Sequence, residues 1–140
     1  GCPAGEGCYA TTMSRVCAPA GTSAEGEGCD DDICQPGNIC VNLVAPPEPE
    51  VTLCKRFCDD DDDCVGGLGS RCLGMLTGST QLICTSHCDP VMRTGCSPGA
   101  SCALFTDMSD RSLTDCIFAG AGTQGTACTE TQDCASGFTC

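Results

Sequence analysis

Cysteine is the residue type whose number and spacing could do chemistry in this sequence. The 140 residues include eighteen cysteines, but only one histidine. Cysteine at this density is typical of a disulfide scaffold, and such cross-links persist mainly in oxidising compartments. Zinc and iron–sulfur sites usually show C-x2-C pairs or clustered histidines, and this sequence has neither. We therefore expect structural disulfides in a protein that is secreted, extracellular or displayed on a cell surface.

Runs of acidic residues are the second candidate site. Five consecutive aspartates lie between two cysteines: Asp59, Asp60, Asp61, Asp62 and Asp63. A shorter run, Asp30 to Asp32, follows Cys29. Crowded carboxylates repel one another, and Ca²⁺, which takes about six to eight oxygen ligands, would relieve that repulsion. Because the residue order differs from an EF-hand loop, we prefer a solvated acidic turn with no metal or other cofactor, and keep Ca²⁺ as the weaker alternative.

The single histidine, His87, has Ser86 and Asp89 as close neighbours in the sequence. Serine, histidine and aspartate act together in hydrolases only when a rigid scaffold holds the base and an oxyanion hole lies beside it. The three-residue connector between Cys84 and Cys88 provides neither feature. We interpret His87 as an exposed linker residue, name no catalytic residue, and expect that the protein is not an enzyme.

The cysteine spacings divide the chain into repeated units. One complete copy begins at Cys58 and has the spacing C-x5-C-x7-C-x11-C, followed by a three-residue connector. The resulting segments are unit one (partial, 1–17), a first linker (18–28), unit two (29–57), unit three (58–87), unit four (88–116), a second linker (117–127) and unit five (partial, 128–140). Both linkers are rich in glycine and small residues, which predicts loose order. Tandem units touch mainly their neighbours, so we expect an extended rod.

A longer period is superimposed on these units. The cysteines at positions 2, 8, 17, 29, 34 and 40 correspond to those at 96, 102, 116, 128, 134 and 140, with offsets that rise from 94 to 100 residues. Three small units therefore form one super-repeat.

A β-hairpin is the element expected in each full unit. Between the third and fourth cysteines, two short apolar runs flank a turn, which predicts antiparallel strands at 41–44 with 50–53, 73–76 with 81–84, and 103–106 with 112–115. With no tryptophan, one tyrosine and four phenylalanines, the chain has little material for a large core, so cross-links must stabilise each unit. The predicted fold class is small and disulfide-rich, with tandem four-cysteine units and little or no helix.

The cysteine and glycine pattern also resembles a known type of module. The runs GTACTETQDCASGFTC, GEGCDDDICQPGNIC and FCDDDDDCVGGLGSRC resemble the C-x4-5-C-x2-G-x2-C opening of Dickkopf N-terminal and EGF-like cysteine-rich repeats, as found in animal secreted proteins and in cysteine-rich bacterial surface proteins. Four cysteines permit three pairings, and the spacings do not choose among them. The resemblance implies a crossed pattern, in which the first cysteine pairs with the third and the second with the fourth.

The crossed pattern assigns sixteen of the eighteen cysteines. The implied pairs are Cys2 with Cys17, Cys29 with Cys40, Cys34 with Cys54, Cys58 with Cys72, Cys64 with Cys84, Cys88 with Cys102, Cys96 with Cys116, and Cys128 with Cys140. Cys8 and Cys134 remain unpaired or bond outside their own units. Either the sequence is cut from a longer array, which we prefer, or chains join head to tail through Cys134. Non-reducing electrophoresis separates these two outcomes.

Charge and hydropathy limit the possible partners. The net charge of −13 argues against binding to nucleic acid or anionic membranes, and no apolar run is long enough to insert into a membrane. Five apolar residues are expected at contacts between units or with another chain: Leu68, Met75, Phe105, Met108 and Phe118. These features indicate self-association or binding to other extracellular proteins.

Our first functional hypothesis is a non-enzymatic structural or adhesive protein, on a cell surface or in a filament or fibre. The alternative is an extracellular protein-binding module, or a small-knot inhibitor, that presents a loop such as APPEPE (45–50) or MLTGSTQ (75–81) to its partner.

Overall fold

The computed structural model describes residues 1–10, 14–29, 33–44, 50–64, 69–76 and 80–140. Across these residues the regular structure consists of short β-strands and two single 3-10 turns, at Asp61–Asp63 and Thr131–Asp133. The expectation of little or no helix is confirmed for this part of the chain. None of its elements is a helix long and apolar enough to cross a membrane.

In the part of the chain that the structure describes, eight strands form four antiparallel hairpins in chain order. They are β1 (Glu6–Ala10), β2 (Arg15–Pro19), β3 (Asn38–Asn42), β4 (Thr52–Cys58), β5 (Cys72–Met75), β6 (Leu82–Cys84), β7 (Ala100–Thr106) and β8 (Ser112–Phe118). All three predicted hairpins are present, so the small, disulfide-rich β-hairpin class is confirmed. Residues 11–13, 45–49 and 77–79 lie outside the described residues.

The hairpins of units two and four differ from the predicted ranges. Strand β3 starts at Asn38 because Gly37, with a φ of 87°, reverses the chain and lets the Asn38 amide donate to the Gln35 carbonyl. Strand β4 continues beyond the predicted end to Cys58. The pair β7 and β8 likewise extends outward to Ala100 and Phe118. Each hairpin is longer than its apolar runs because backbone pairing continues past them.

One sheet crosses a unit boundary. Its strand order is β3-β4-β6-β5, so the hairpins of units two and three are joined side by side. The joining contacts pair Phe57 with Ile83 and Cys58 with Leu82. The cysteine that opens unit three therefore lies on the last strand of unit two, and these two units share one sheet.

The main apolar core lies between units two and four. Val51 and Leu53 from β4 and the residues before it pack with Cys88, Ala100 and Cys116 of unit four. Our expectation that each unit touches mainly its neighbours is therefore wrong for this pair. A unit of about 30 residues has too few apolar side chains to bury a core alone, and units two and four combine theirs.

The first linker is ordered, contrary to the predicted loose order. Ser23 is buried and forms an isolated parallel bridge with Cys34. The Gly26 amide donates to the Cys54 carbonyl over 2.9 Å, and the Cys54 amide donates to the Glu27 carbonyl over 2.8 Å. Glycine is needed here for close approach, because a Cβ at Gly21 would overlap the Ile33 carbonyl oxygen.

Candidate functional site

The cysteines at the base of each hairpin organise the molecule. In units two, three and four the third and fourth cysteines face each other across the strands: Cys40 with Cys54, Cys72 with Cys84, and Cys102 with Cys116. These facing cysteines do not bond to one another. Each bonds instead to one of the two cysteines in the loop that opens the unit, and so ties that loop across the hairpin.

Eight disulfides are present, with Cα separations of 5.5 to 5.9 Å. They join the same sixteen cysteines, in the same pairs, as the crossed pattern implied by the resemblance. Each of the three full units has one bond with a sequence separation of 20 and one with a separation of 11 or 14. The two bonds of a unit cross in sequence. If one of them is reduced, the other still ties the opening loop to the hairpin.

Two cysteines are free thiols. Cys8 is exposed on β1, whereas Cys134 is buried in unit five. Cys8 lines a cleft of about 280 Å³ together with Arg15, Phe57 and Gln81. By the super-repeat, Cys8 corresponds to Cys102 and Cys134 to Cys34, and both of these counterparts are disulfide-bonded.

The contact between each linker and the opening loop of the next unit, which we call a junction, occurs twice. At the first junction Ser23 bridges Cys34, and the Gln35 amide donates to the Ser23 carbonyl over 2.8 Å. At the second junction Gly122 bridges Cys134, and the Ala135 amide donates to the Gly122 carbonyl, also over 2.8 Å. The second linker is therefore ordered at its junction, as the first is.

The turns around the two junctions also match. Glycines at equivalent positions have positive φ angles between 82° and 88°: Gly5 and Gly99, Gly26 and Gly125, Gly37 and Gly137. The Ala20 amide donates to Gly5, and the Ala119 amide donates to Gly99. The super-repeat of the cysteines is thus also a repeat of the backbone conformation.

Tyr9, the single tyrosine of the chain, fastens the first junction. Its hydroxyl donates to the Cys34 carbonyl over 2.9 Å and accepts from the Gly21 amide over 2.8 Å. Its counterpart in unit four is Ala103, which has no hydroxyl group. This contact is therefore specific to the first junction. Sequence analysis did not single out Tyr9, although a lone tyrosine between two glycine-rich stretches was the available signal.

An ion pair between a buried lysine and a partly exposed aspartate joins unit two to unit four. Lys55 on β4 is buried and its ammonium contacts the carboxylate of Asp115 on β8. The same carboxylate oxygen accepts hydrogen bonds from the amides of Ser86 and Cys116, each over 2.8 Å. Asp115 therefore connects units two, three and four. Sequence analysis missed this pair because the two residues lie 60 positions apart and neither belongs to a motif.

The acidic run Asp59 to Asp63 forms a short capped turn. The Asp63 carboxylate accepts from the Asp59 amide over 2.8 Å, and the Asp60 carboxylate accepts from the Asp62 amide over 2.9 Å. In unit five the Asp133 carboxylate accepts from the Thr129 amide in the same way. Asp60, Asp63 and Asp133 thus support the loop between the first two cysteines of units three and five. The shorter run at 30–32 lies outside the described residues.

Asp61 is bound by arginines as well as by backbone, so it is less solvated than we expected. Its carboxylate accepts from the Cys72 amide over 2.9 Å and from the Arg111 guanidinium over 2.7 Å, with Arg71 at 3.9 Å. The Cys72 hydrogen bond, followed by that from Arg111, lowers the pKa of Asp61 below its usual value. These cations compete with Ca²⁺ for the carboxylate. Isothermal titration is therefore predicted to give a Ca²⁺ dissociation constant weaker than about 10⁻⁵ M, outside the sensor range.

Ser86 and Asp89, the neighbours of His87, each form hydrogen bonds with other residues. The Ser86 carbonyl accepts from the Thr114 hydroxyl over 3.0 Å. The Asp89 carboxylate accepts from the amides of Val91 and Met92, both over 2.8 Å, and so caps the next turn. His87 itself is exposed, and the described residues include no hydrogen bond that joins it to Ser86 or Asp89.

The five apolar residues singled out from the sequence have different surroundings. Phe118 packs against the core between units two and four. Met75, Phe105 and Met108 are exposed, and Met108 is fully so. Leu68 lies outside the described residues. Phe118 therefore fits the expected contact between units, whereas Met75, Phe105 and Met108 are open to contact with another chain.

The fold and the site define a class: a small, cysteine-rich β-hairpin protein, held by crossed disulfides and built on a repeated junction. A scan against protein-family models and searches of curated proteins and solved structures found no match to this chain.

Proposed function

We propose that the chain is a non-enzymatic structural or adhesive protein, secreted or displayed on a cell surface, whose disulfide-stapled units form a rod in a filament or fibre. The observation that carries this proposal is the repeated junction. The first linker contacts unit two through the same backbone hydrogen bonds by which the second linker contacts unit five.

A repeated junction favours linear assembly. If the same rotation and translation relate successive copies of an element, repeating that operation generates an open array whenever the rotation does not close a ring. The repeating block is three units long, because units two, three and four are joined by a shared sheet, a shared core and the Asp115 contacts. This refines the expected rod into a series of three-unit blocks.

The disulfides and the charge support the proposed location and role. Eight cross-links suit an oxidising compartment. Since a unit buries little apolar surface, disulfides let an exposed array keep its fold with small cores. The net charge of −13 favours solubility of the exposed surfaces.

A binding module is the second candidate, and the β7–β8 hairpin favours it. Met108 is fully exposed at its tip, next to Asp107. The Asp107 carboxylate accepts from the amides of Ser109 and Arg111 over 2.8 and 3.0 Å, and from the Arg111 side chain over 2.8 Å. A preformed turn loses little entropy on binding a partner. The tips of the two loops first considered for this role, at 45–49 and 77–79, lie outside the described residues.

Electron microscopy of the protein isolated from the cells that make it tests the proposal. A structural role predicts ordered rods or filaments many chain diameters long, and the variant Met108→Ser should form them equally well. A binding module predicts monodisperse particles and loss of partner binding in the same variant. Uniform single particles in the isolated material would contradict the structural role.

A further inference from the structure

The sulfur atoms of the two disulfides in each full unit lie close together. In unit two the Sγ atoms of Cys29, Cys34 and Cys54 all lie within 4.8 Å of one another. Cys29 belongs to one bond of the unit, whereas Cys34 and Cys54 form the other. The first cysteine therefore lies beside the bond between the second and the fourth. Units three and four have the same arrangement, at Cys58, Cys64 and Cys84 and at Cys88, Cys96 and Cys116.

The third cysteine differs among the units in its exposure. Cys40 in unit two is exposed, Cys102 in unit four is half-buried, and Cys72 in unit three is only 8% exposed. In unit two the bond between the second and fourth cysteines is buried, with 2% and 0% of the two residues exposed. Because exchange depends on access to the attacked sulfur, a thiol in solution meets unit two first at Cys40.

Cys29 is held against strand β4, which also carries Cys54. The Cys29 amide donates to the Thr52 hydroxyl over 3.3 Å, and this contact is buried. Thr52 lies two residues before Cys54 on β4, so their side chains are on the same face of the strand. Cys29 therefore approaches the buried disulfide from the side of Cys54.

The other end of the buried disulfide, Cys34, lies at the first junction. Ser23 forms its isolated bridge with Cys34, and the Tyr9 hydroxyl donates to the Cys34 carbonyl. The bond from Cys34 to Cys54 thus connects the junction covalently to the hairpin of unit two. Loss of this bond would leave the junction with hydrogen bonds alone.

We propose that Cys40 is a site of mixed-disulfide modification by a small thiol of the glutathione class, and that this modification frees Cys34 by disulfide exchange inside unit two. The exposed bond Cys29–Cys40 receives the thiol, and Cys29 passes the exchange to the buried bond. This goes beyond the structural role proposed above, because it assigns a chemical modification that loosens the first junction.

The exchange has two steps. The small thiol loses its proton to water, and its thiolate attacks the Cys40 sulfur; the Cys29–Cys40 bond breaks and Cys29 leaves as a thiolate. The Cys29 thiolate then attacks the Cys54 sulfur, the Cys34–Cys54 bond breaks, and Cys34 takes a proton from water. Two disulfides are present before and after, so neither an oxidant nor a further reductant is required. The second step is fast because the reacting sulfurs are held side by side.

The test uses the full chain without its two free thiols, Cys8→Ser and Cys134→Ser, and reduced glutathione as the probe. Acid stops the exchange after a short exposure, since the thiolate is the reactive form. Free thiols are then alkylated in urea, and tandem mass spectrometry locates the glutathione and the alkyl group. We expect about tenfold more glutathione on Cys40 than on Cys72, because access governs the rate, and alkylation at Cys34 in the chains modified at Cys40.

A matched control removes the bond that Cys29 would attack, by Cys34→Ala and Cys54→Ala in the same background. In this variant the Cys29 thiolate has only Cys40 to attack. Glutathione should therefore leave Cys40 faster than in the parent once the excess is removed.

The disulfides of the two partial units are internal references. Cys2–Cys17 and Cys128–Cys140 each have an exposed cysteine, but neither belongs to a cluster of three sulfurs among the described residues. They should take up glutathione without transfer of the free thiol to a third cysteine.

Two results would overturn the proposal. Equal glutathione on Cys40 and Cys72 would show that exposure does not select the site. Alkylation at Cys29 or Cys54 instead of Cys34, in chains modified at Cys40, would show that the assigned transfer does not occur. Either result leaves the structural role to be decided by microscopy.

Discussion

At the scale of single residues, we expect Asp115 to contribute more to the stability of the fold than its partner Lys55. Its carboxylate accepts from the Lys55 ammonium and from two backbone amides. Removal of Asp115 leaves a buried ammonium without its counter-ion, whereas replacement of Lys55 by an apolar side chain removes the charge that needs pairing. Buried ion pairs are asymmetric in this sense.

We predict that Asp115→Ala lowers the free energy of unfolding by about 3 kcal/mol, and that Lys55→Met lowers it by about 1 kcal/mol or less. Urea unfolding with all disulfides intact measures both variants. Equal losses in the two would contradict the asymmetry.

Three carboxylates make the stability of the protein sensitive to acid. The pKa of Asp61 is lowered chiefly by the Cys72 amide, that of Asp107 by the Arg111 amide, and that of Asp133 by the Thr129 amide. A folded-state pKa below the unfolded value means that the stabilisation is complete above the unfolded value of about 4 and is lost as the pH falls through the folded value.

We therefore predict that the thermal midpoint in urea is nearly constant from pH 7 to 5 and falls below about pH 4. Asp61→Asn should lower the midpoint at pH 7 and reduce the fall in acid. Asp110→Asn, which changes an exposed carboxyl in the β7–β8 turn, is the control and should keep the full acid transition. A midpoint that rises on acidification would show that these carboxylates do not stabilise the fold.

Residue-level contacts were the least predictable part of the molecule. The acidic run was visible in the sequence, but its arginine partner Arg111 lies 50 residues from Asp61, and only the packing of unit four against unit three brings them together. The pairing of Lys55 with Asp115 could not be predicted for the same reason. Charges at this sequence distance are paired by tertiary structure, which no local pattern encodes.

At the scale of elements, the hairpins were predictable and the linkers were not. Two apolar runs around a turn are a local signal for a hairpin, and it placed the strands of units two, three and four correctly to within a few residues. The linkers have the composition of flexible chain, yet both are ordered at their junctions. Glycine has two uses, flexibility and close approach, and composition alone does not distinguish them.

Close approach at the second junction depends on Gly120. A Cβ at this position would lie 2.5 Å from the carbonyl oxygens of both Gln132 and Asp133. We predict that Gly120→Ala destabilises the junction by about 1 to 3 kcal/mol, measured as faster hydrogen exchange at the amides of Gly122 and Ala135. Gly28→Ala, where an added Cβ meets only ordinary contacts at 3.7 and 3.8 Å, is the matched control. Unchanged exchange in Gly120→Ala would contradict the close packing.

At the scale of the whole molecule, the units are not independent modules. Units two and three share a sheet, and units two and four share a core. The sequence showed a three-unit period in its cysteines, but not that the three units pack on one another. Each unit has too few apolar side chains to form a core alone, and packing the units together buries those side chains in a shared core.

The eight disulfides determine which parts of the chain stay joined after proteolysis. No disulfide spans residues 55 to 57, because the two bonds of unit two close before Lys55 and the first bond of unit three begins at Cys58. Because trypsin cuts after Lys55 and Arg56, no disulfide joins the fragments before this stretch to the fragments after it.

The most direct test is a disulfide map obtained with trypsin, after the thiols of Cys8 and Cys134 have been alkylated in urea. Cleavage at lysine and arginine should release two cross-linked clusters and no free cysteine peptide. One cluster holds residues 1–15 and 16–55, and the other holds 57–71, 72–93, 94–111 and 112–140. Release of 57–71 alone would show pairing of first with second cysteine in unit three. Release of 94–111 alone would show pairing of second with third in unit four, and either result would contradict the crossed pattern.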